Sequence, residues 1–218
     1  MRVRVPLAGL LALACVSAAR AEDLTVHIAD DGGHPVADSV ITLIPQNPAN
    51  GPAAQPKPET RVIDQKDETF IPYVQIVRPG DPIVFRNSDD TRHHVYSFAK
   101  IKAFEFVLAP GESSVPMQIA APGIAVVGCN IHDNMINYLF VSDAPYLAQT
   151  RAEGSVTFAN LSAGTYALHI WHPQLHPGTP EIVQSVTMAG SGPAQTINAT
   201  LALLPDPRQR MDHEHMRY

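Results

Sequence analysis

Short runs of alternating hydrophobic and polar residues, separated by turn signals, make up most of this chain. In residues 73–87, YVQIVRPGDPIVFRN, an RPGD turn separates two such runs, and residues 164–171, GTYALHIW, form another. No stretch keeps a helical apolar period over the length of a long helix. The pattern therefore predicts an all-β fold made of β-sandwiches. The predicted strands lie near residues 23–29, 38–44, 73–78, 82–87, 93–98, 103–108, 114–119, 124–128, 136–142, 154–159, 164–171, 181–188 and 196–203.

The first 21 residues follow a different pattern. They begin with a basic MRVR, continue through the apolar run LAGLLALACVSAA and end in the small-residue sequence ARA. This arrangement predicts a secretory signal peptide over 1–21, whose apolar part is too short to span a bilayer. Cleavage after Ala21 makes Glu22 the first residue, whereas an alternative interpretation takes Cys15 in LALAC as a lipidated cysteine. Both predict a periplasmic protein, and no later apolar run is long enough to cross a membrane.

Charge and cysteine content narrow the possible functions. Removal of the signal peptide takes away three arginines and no acidic residue, so the formal net charge changes from −6 to −9. An acidic surface argues against nucleic acid or anionic lipid as a partner. One cysteine then remains, Cys129, which cannot form a disulfide within the chain. In an oxidising compartment, metal coordination or deep burial must explain it.

The sequence GCNIHDNM combines a thiol, an imidazole and a thioether, from Cys129, His132 and Met135. Soft sulfur with imidazole suits copper, and two histidines, one cysteine and a weak axial methionine form a blue-copper electron-transfer site. The second histidine is expected from His93 or His94, about 35 residues upstream. Because residues three apart on a strand face opposite sides, the loop after Cys129 must curl to bring its donors together.

Each candidate ligand has a simpler explanation when taken alone. A lone cysteine is most often a small buried hydrophobe, and a methionine between apolar residues is usually part of a core. Asp133 and Asn134, inside the loop, are typical turn residues. The combination and spacing of the three donor types, and not any one of them, favours a metal site.

The segment between Arg61 and Pro145 resembles the cupredoxins, most closely the amicyanin and plastocyanin group of type 1 blue copper proteins. Three spacings carry the resemblance: the Cys-x2-His-x2-Met loop, the six residues from Asn87 of IVFRN to His93, and the six residues from Gly123 to the cysteine. The resemblance implies a cupredoxin Greek-key β-sandwich at 60–146. It also implies one type 1 copper per chain and single-electron transfer, with the ligands His93, Cys129, His132 and Met135.

One position departs from the cupredoxin pattern. The residue after the first histidine ligand is usually an asparagine that ties the two ligand loops together, and here it is His94. Its imidazole is expected to replace that hydrogen bond, although His94 could itself be the ligand. The sequence motifs HHVYSF and GCNIHD also resemble those of a bacterial plastocyanin-like group often labelled methylamine utilization proteins.

The flanking segments resemble the two ends of a transthyretin-like or carboxypeptidase-regulatory-like sandwich. The resemblance implies that 22–57 and 150–204 join as a second, smaller immunoglobulin/transthyretin-like sandwich that the copper domain interrupts, with a flexible tail at 205–218. In the alternative, the N-terminal strands join the copper-domain sheet. The matching positions are Gly33, Pro35, Val36, Gly154, Phe158, Leu161, Gly164 and Tyr166.

Further histidines occur near Trp171 and in the tail. Those near the tryptophan are interpreted as exposed residues around a packed side chain, with a second metal site or a docking surface for the copper module as alternatives. The tail is interpreted as disordered, with copper capture as the alternative. These residues are His169, His172, His176, Met211, His213, His215 and Met216.

Together these features predict a periplasmic type 1 blue copper protein that carries single electrons between redox partner proteins, such as a cytochrome, dehydrogenase or oxidase. The edge of His132 is the expected exit for the electron. No open coordination position or general base is evident, so a carrier and not an enzyme is expected. One alternative is a copper-binding or copper-delivery protein without an electron-transfer role. Another is a structural β module with a vestigial site.

Overall fold

The structure is a computed structural model that describes residues 21–208 apart from residues 53, 55, 133 and 180. Its described residues consist mainly of strands and loops, with a short 3-10 helix at Pro48–Asn50, so the prediction of an all-β fold is confirmed. Among them, no helix has the length and hydropathy needed to cross a bilayer. The signal-peptide residues 1–20, including Cys15, and the tail residues 209–218, with their methionines and histidines, lie outside the described residues.

The strands are named here in chain order. They are β1 (Ala21–Asp30), β2 (Val40–Pro45), β3 (Arg61–Lys66), β4 (Thr69–Ile71), β5 (Val74–Val77), β6 (Ile83–Asn87), β7 (His93–Ala99), β8 (Lys102–Leu108), β9 (Gly123–Cys129), β10 (Ile136–Val141), β11 (Tyr146–Gln149), β12 (Ser155–Ser162), β13 (Gly164–Trp171), β14 (Ile182–Met188) and β15 (Gln195–Leu201).

Strands from both ends of the described chain form one pair of sheets, called here the flank sandwich. One sheet has the order β12-β1-β15 and the other β11-β2-β13-β14. Alternate residues of β1, namely Leu24, Val26 and Ile28, point into the space between the sheets because successive side chains of a strand face opposite sides. They pack against residues of the other sheet such as Leu43 and Tyr166, in one hydrophobic core.

Strands β3 to β10 form a second pair of sheets, called here the central sandwich. Its sheets have the orders β5-β10-β9-β7-β8 and β4-β3-β6. Fully buried residues such as Phe85, Val95 and Val127 fill its core, which also includes Cys129 and Met135. The core of the central sandwich therefore reaches the predicted copper ligands.

The predicted strands differ from the observed ones in two respects. The prediction omitted β3, β4 and β11, and it placed a strand at 114–119 where the structure has only isolated bridges at Ser113 and Met117. Pro116 lies between these bridges, and its missing N–H prevents a continuous ladder of hydrogen bonds.

The two sandwiches meet at Trp171, the last residue of β13. Its ring lies 5.1 Å from that of Phe140 and 5.9 Å from that of Tyr138, both on β10. Trp171 thus contacts a strand of the central sandwich. Within the described part of the chain, the histidines around it do not form a metal-ligand cluster, and His169 pairs with Glu181 at 3.0 Å. The division into a domain at 60–146 and a joined domain from 22–57 and 150–204 stays a prediction.

His172, next to Trp171, is a buried neutral histidine. Its Nε2 donates to the carbonyl of Ala37 at 3.1 Å, and its Nδ1 accepts the N–H of Gln174 at 3.1 Å. Burial lowers the pKa of His172 from 6.5 to about 4. Between these pH values the unfolded chain takes up a proton that the folded chain does not. Folding stability is therefore present above pH 6.5 and is lost as the pH falls toward 4.

Because of His172, we expect the free energy of unfolding to fall by about 3 kcal/mol as the pH is lowered from 6.5 to 4, at about 1.4 kcal/mol per pH unit. Urea unfolding of the wild type and of His172→Gln, measured over this range, checks the expectation. The variant should be less stable at pH 7, since it loses native contacts, and the difference should shrink toward pH 4. If the difference in unfolding free energy between wild type and variant did not change with pH, the expectation would be wrong.

Candidate metal centre

Two neighbouring strands bring His93 and Cys129 together. His93 is the first residue of β7 and Cys129 the last of β9, and the antiparallel pairing places Val95 opposite Cys129. His93, two residues before Val95, points into the same core because side chains alternate along a strand. Its Nδ1 lies 3.6 Å from the cysteine Sγ. Both side chains are buried.

The loop after Cys129 curls back toward the thiol. The pairing of Ile136 with Gly128 closes the base of the loop between β9 and β10. Within it, the N–H of Met135 donates to the carbonyl of His132 at 3.1 Å, which makes a turn. This turn leaves the methionine side chain in the hydrophobic core that contains Cys129, where only 2% of Met135 is exposed. Residue 133 of this loop lies outside the described residues.

Three of the four predicted ligands converge on one point. The ligand atoms of His93, Cys129 and His132 all lie within 4.8 Å of one another. The rings of the two histidines are 5.2 Å apart, centroid to centroid. Met135 lies in the same core as the cysteine, and both line one cavity. Among the described residues, this is the His, Cys, Asp and Glu cluster that could hold a metal ion.

The ring nitrogens of the two histidines show which atoms face the cluster. The Nδ1 of His132 is buried and has no hydrogen-bond partner among the described residues, while its Nε2 lies 3.5 Å from a carboxylate oxygen of Glu68. In His93, Nδ1 faces the thiol and Nε2 is bonded to Asp89 at 2.8 Å. A buried, unpaired polar atom costs about 1–3 kcal/mol, so it calls for a partner. A metal ion held by both Nδ1 atoms and the thiolate fits these residues.

His94 lies on the other face of β7. Its Nε2 is 2.6 Å from Glu105, and it is absent from the metal-ligand cluster. The expectation that its imidazole ties the ligand loops together is therefore wrong. That link is made by its backbone, whose carbonyl accepts the N–H of Asn130 at 3.0 Å. The alternative that His94 is the ligand in place of His93 finds no support in this geometry.

No sequence motif marks Asp89 or Glu68, the carboxylates beside the two imidazoles. Asp89 lies four residues before His93, in a loop where acidic residues are common. Glu68 lies in the turn between β3 and β4, two strands that the sequence pattern did not predict. Only the fold brings this turn to His132, so no local signal marks Glu68.

Comparison with known proteins gives structural neighbours only. No family model matches the chain, and no curated protein matches it. Similar solved structures include a copper-containing nitrite reductase from Thermus scotoductus SA-01, with 23% identity, a TM-score of 0.36 and coverage of 46% of this chain. An oxidized amicyanin variant has 17% identity, a TM-score of 0.35 and coverage of 38% of this chain and 82% of its own. A purple cupredoxin from Nitrosopumilus maritimus has 17% identity, a TM-score of 0.34 and coverage of 38% and 99%.

By their names, these neighbours are a copper-containing nitrite reductase, an amicyanin and a cupredoxin. The present chain spans 27% of the nitrite reductase chain. At this level of similarity, the chemistry of the site rests on the donors of this chain and on their geometry.

Proposed function

We propose that this chain binds one copper ion per molecule and carries single electrons between redox partner proteins of the periplasm. The supporting observation is the convergence of His93, Cys129 and His132, with the buried Nδ1 of His132 left for a metal. One thiolate and two imidazoles, with the thioether of Met135 in the same core, are a donor set that would suit copper. Bound copper supplies a one-electron redox couple at this site.

The surrounding residues shield the donors from solvent, and strand pairing holds them in position. His93 is fully buried, and Cys129 is 5% exposed. The pairing of β7 with β9, and of β9 with β10, holds the loop at both of its ends. Donors that cannot move favour electron transfer because little rearranges when the charge changes. Of the two proposed ligand imidazoles, His93 is fully buried and His132 is 21% exposed, and we propose the edge of His132 as the route for the electron.

The cavity beside the site is mainly apolar, as we would expect for an electron carrier. The cavity beside Cys129 and Met135 is lined mainly by apolar side chains, including Phe98, Ile101 and Val126. No carboxylate or imidazole is among the described residues that line it, and its polar side chains include Tyr96 and Lys100. Copper delivery without electron transfer remains the alternative proposal.

A copper titration of the purified protein tests the proposed function. We expect saturation at one equivalent, an intense visible band from thiolate-to-copper charge transfer, and a reversible one-electron wave in voltammetry. A delivery protein should instead pass its copper to an acceptor chelator without a reversible wave. A colourless, redox-silent protein that holds zinc after copper-replete expression would overturn the proposal.

A matched pair of alanine variants tests the choice of histidine. His93→Ala removes a buried donor and should weaken copper binding at least about 100-fold, the upper end of the effect of losing a supporting residue. His94→Ala, on the other face of the same strand, should keep the band and the stoichiometry. Visible spectra and competition with a copper chelator measure both quantities. Loss of the band in His94→Ala alone would show that the assignment is off by one residue.

A further inference from the structure

Asp89 is bonded to His93 on the side away from the cluster. Its Oδ2 lies 2.8 Å from the histidine Nε2, and only 11% of the Asp89 side chain is exposed. The N–H of Asp89 donates to the side-chain oxygen of Asn87 at 2.9 Å, and Asn87 is itself fully buried. The carboxylate is therefore held in place against the imidazole by the end of β6.

The same carboxylate also organises the turn between β3 and β4. It accepts the backbone N–H of Asp67 and, at 3.1 Å, that of Glu68. Both turn residues have positive φ, 52° and 53°, a conformation that side-chain-bearing residues rarely adopt. These hydrogen bonds from the backbone to Asp89 help to maintain the turn in this conformation.

This turn carries the second carboxylate to the second imidazole. Glu68 Oε1 lies 3.5 Å from Nε2 of His132. Both proposed histidine ligands thus turn Nε2 toward a carboxylate, while Nδ1 of His93 faces the thiol and the buried Nδ1 of His132 has no partner among the described residues. Asp89 contacts both His93 and the turn that holds Glu68. The side chain of Asp89 therefore links the part of the site that holds His93 to the turn beside His132.

We infer that Asp89 is a positioning residue for the metal centre, an inference that rests on the proposed function. By accepting a hydrogen bond from Nε2, it keeps the proton of neutral His93 on that nitrogen and leaves Nδ1 free to bind metal. A carboxylate on the far side of a ligating imidazole also orients the ring and makes it a stronger donor. Its negative charge favours the more highly charged oxidation state, Cu(II), and so lowers the reduction potential.

Three variants separate the hydrogen bond of Asp89 from its charge. Asp89→Ala removes both, and Asp89→Asn retains an amide oxygen that can accept from His93 while removing the charge. Asp90→Asn is the matched control, because Asp90 is the exposed neighbour and its variant loses the same charge. For each protein we would measure copper affinity by chelator competition and reduction potential by voltammetry. The His93 tautomer would be measured by 15N NMR of the copper-free protein.

We expect Asp89→Ala to weaken copper binding about 10–100-fold and to lose the single Nε2-protonated tautomer of His93. Asp89→Asn should keep most of the affinity and raise the reduction potential by more than Asp90→Asn does. The inference fails if Asp89→Ala matches Asp90→Asn in affinity and potential, or if the wild-type tautomer is Nδ1-protonated.

Failure of the proposed function has a different signature. If the wild-type protein binds no copper or gives no visible band, the electron-carrier proposal fails, whatever the variants do. If Asp89→Ala does not fold, Asp89→Asn and the tautomer in the copper-free wild type still decide whether Asp89 positions His93.

Discussion

Replacing Cys129 by serine should remove the visible band of the copper-loaded protein completely. The band requires a covalent bond between copper and a soft thiolate, and a hydroxyl is a harder donor with a much higher pKa. Cys129 is the one cysteine among the described residues, so no neighbouring thiol can take its place. Spectra of wild type and variant at equal copper and protein concentrations measure the effect.

A second substitution controls for the cost of placing a hydroxyl in the core. Val127 lies two residues before Cys129 on β9 and is fully buried in the same core. Val127→Thr inserts a hydroxyl there without altering a donor, and it should lose about 1–3 kcal/mol of stability while keeping the band. A band of wild-type intensity in Cys129→Ser, or loss of the band in Val127→Thr, would contradict the assignment of Cys129 as the donor.

Local sequence spacing was enough to predict the candidate ligands of the metal site. The spacing of Cys129, His132 and Met135 marked the loop, and the distance from Asn87 favoured His93 over His94. Hydrophobicity alone would have placed His94, and not His93, on the buried face of β7. The face of β7 that carries His94 also carries Tyr96 and Phe98, yet 83% of Phe98 is exposed. Spacing was the better guide here because it reflects strand register.

The parts of the fold that sequence analysis missed lack an apolar alternation. In β3, RVIDQK, only Ile63 and Gln65 are buried, and the second of these is polar. The glutamine donates through Nε2 to the carbonyl of Arg86, a contact between strands that a local pattern does not reveal. Because β3 went unpredicted, so did the turn that carries Glu68. The carboxylates beside the imidazoles therefore depend on tertiary structure.

Removal of the central sandwich should leave a folded β protein. The point where the chain leaves the flank sandwich lies close to the point where it returns. Tyr146 donates its hydroxyl to the carbonyl of Asn50 at 2.9 Å. A Cβ on Gly51 would lie 3.8 Å from the Cβ of Pro145. A short Gly/Ser linker in place of residues 52–144 could thus join the chain ends. The remaining strands keep both sheets and the complete hydrophobic core of the flank sandwich.

The shortened chain should unfold cooperatively, but at a lower temperature than the full chain. Trp171 would lose its contacts with Tyr138 and Phe140, and such aromatic pairs contribute about 0.5–1.5 kcal/mol each. Circular dichroism and thermal melting measure both properties. Leu168→Ala in the shortened chain is the control, since it removes a fully buried side chain and should cost about 2–5 kcal/mol if the core is packed as in the full chain. A shortened chain that is unfolded, while residues 60–146 bind copper cooperatively only with 23–45 attached, would show that the N-terminal strands belong to the copper domain.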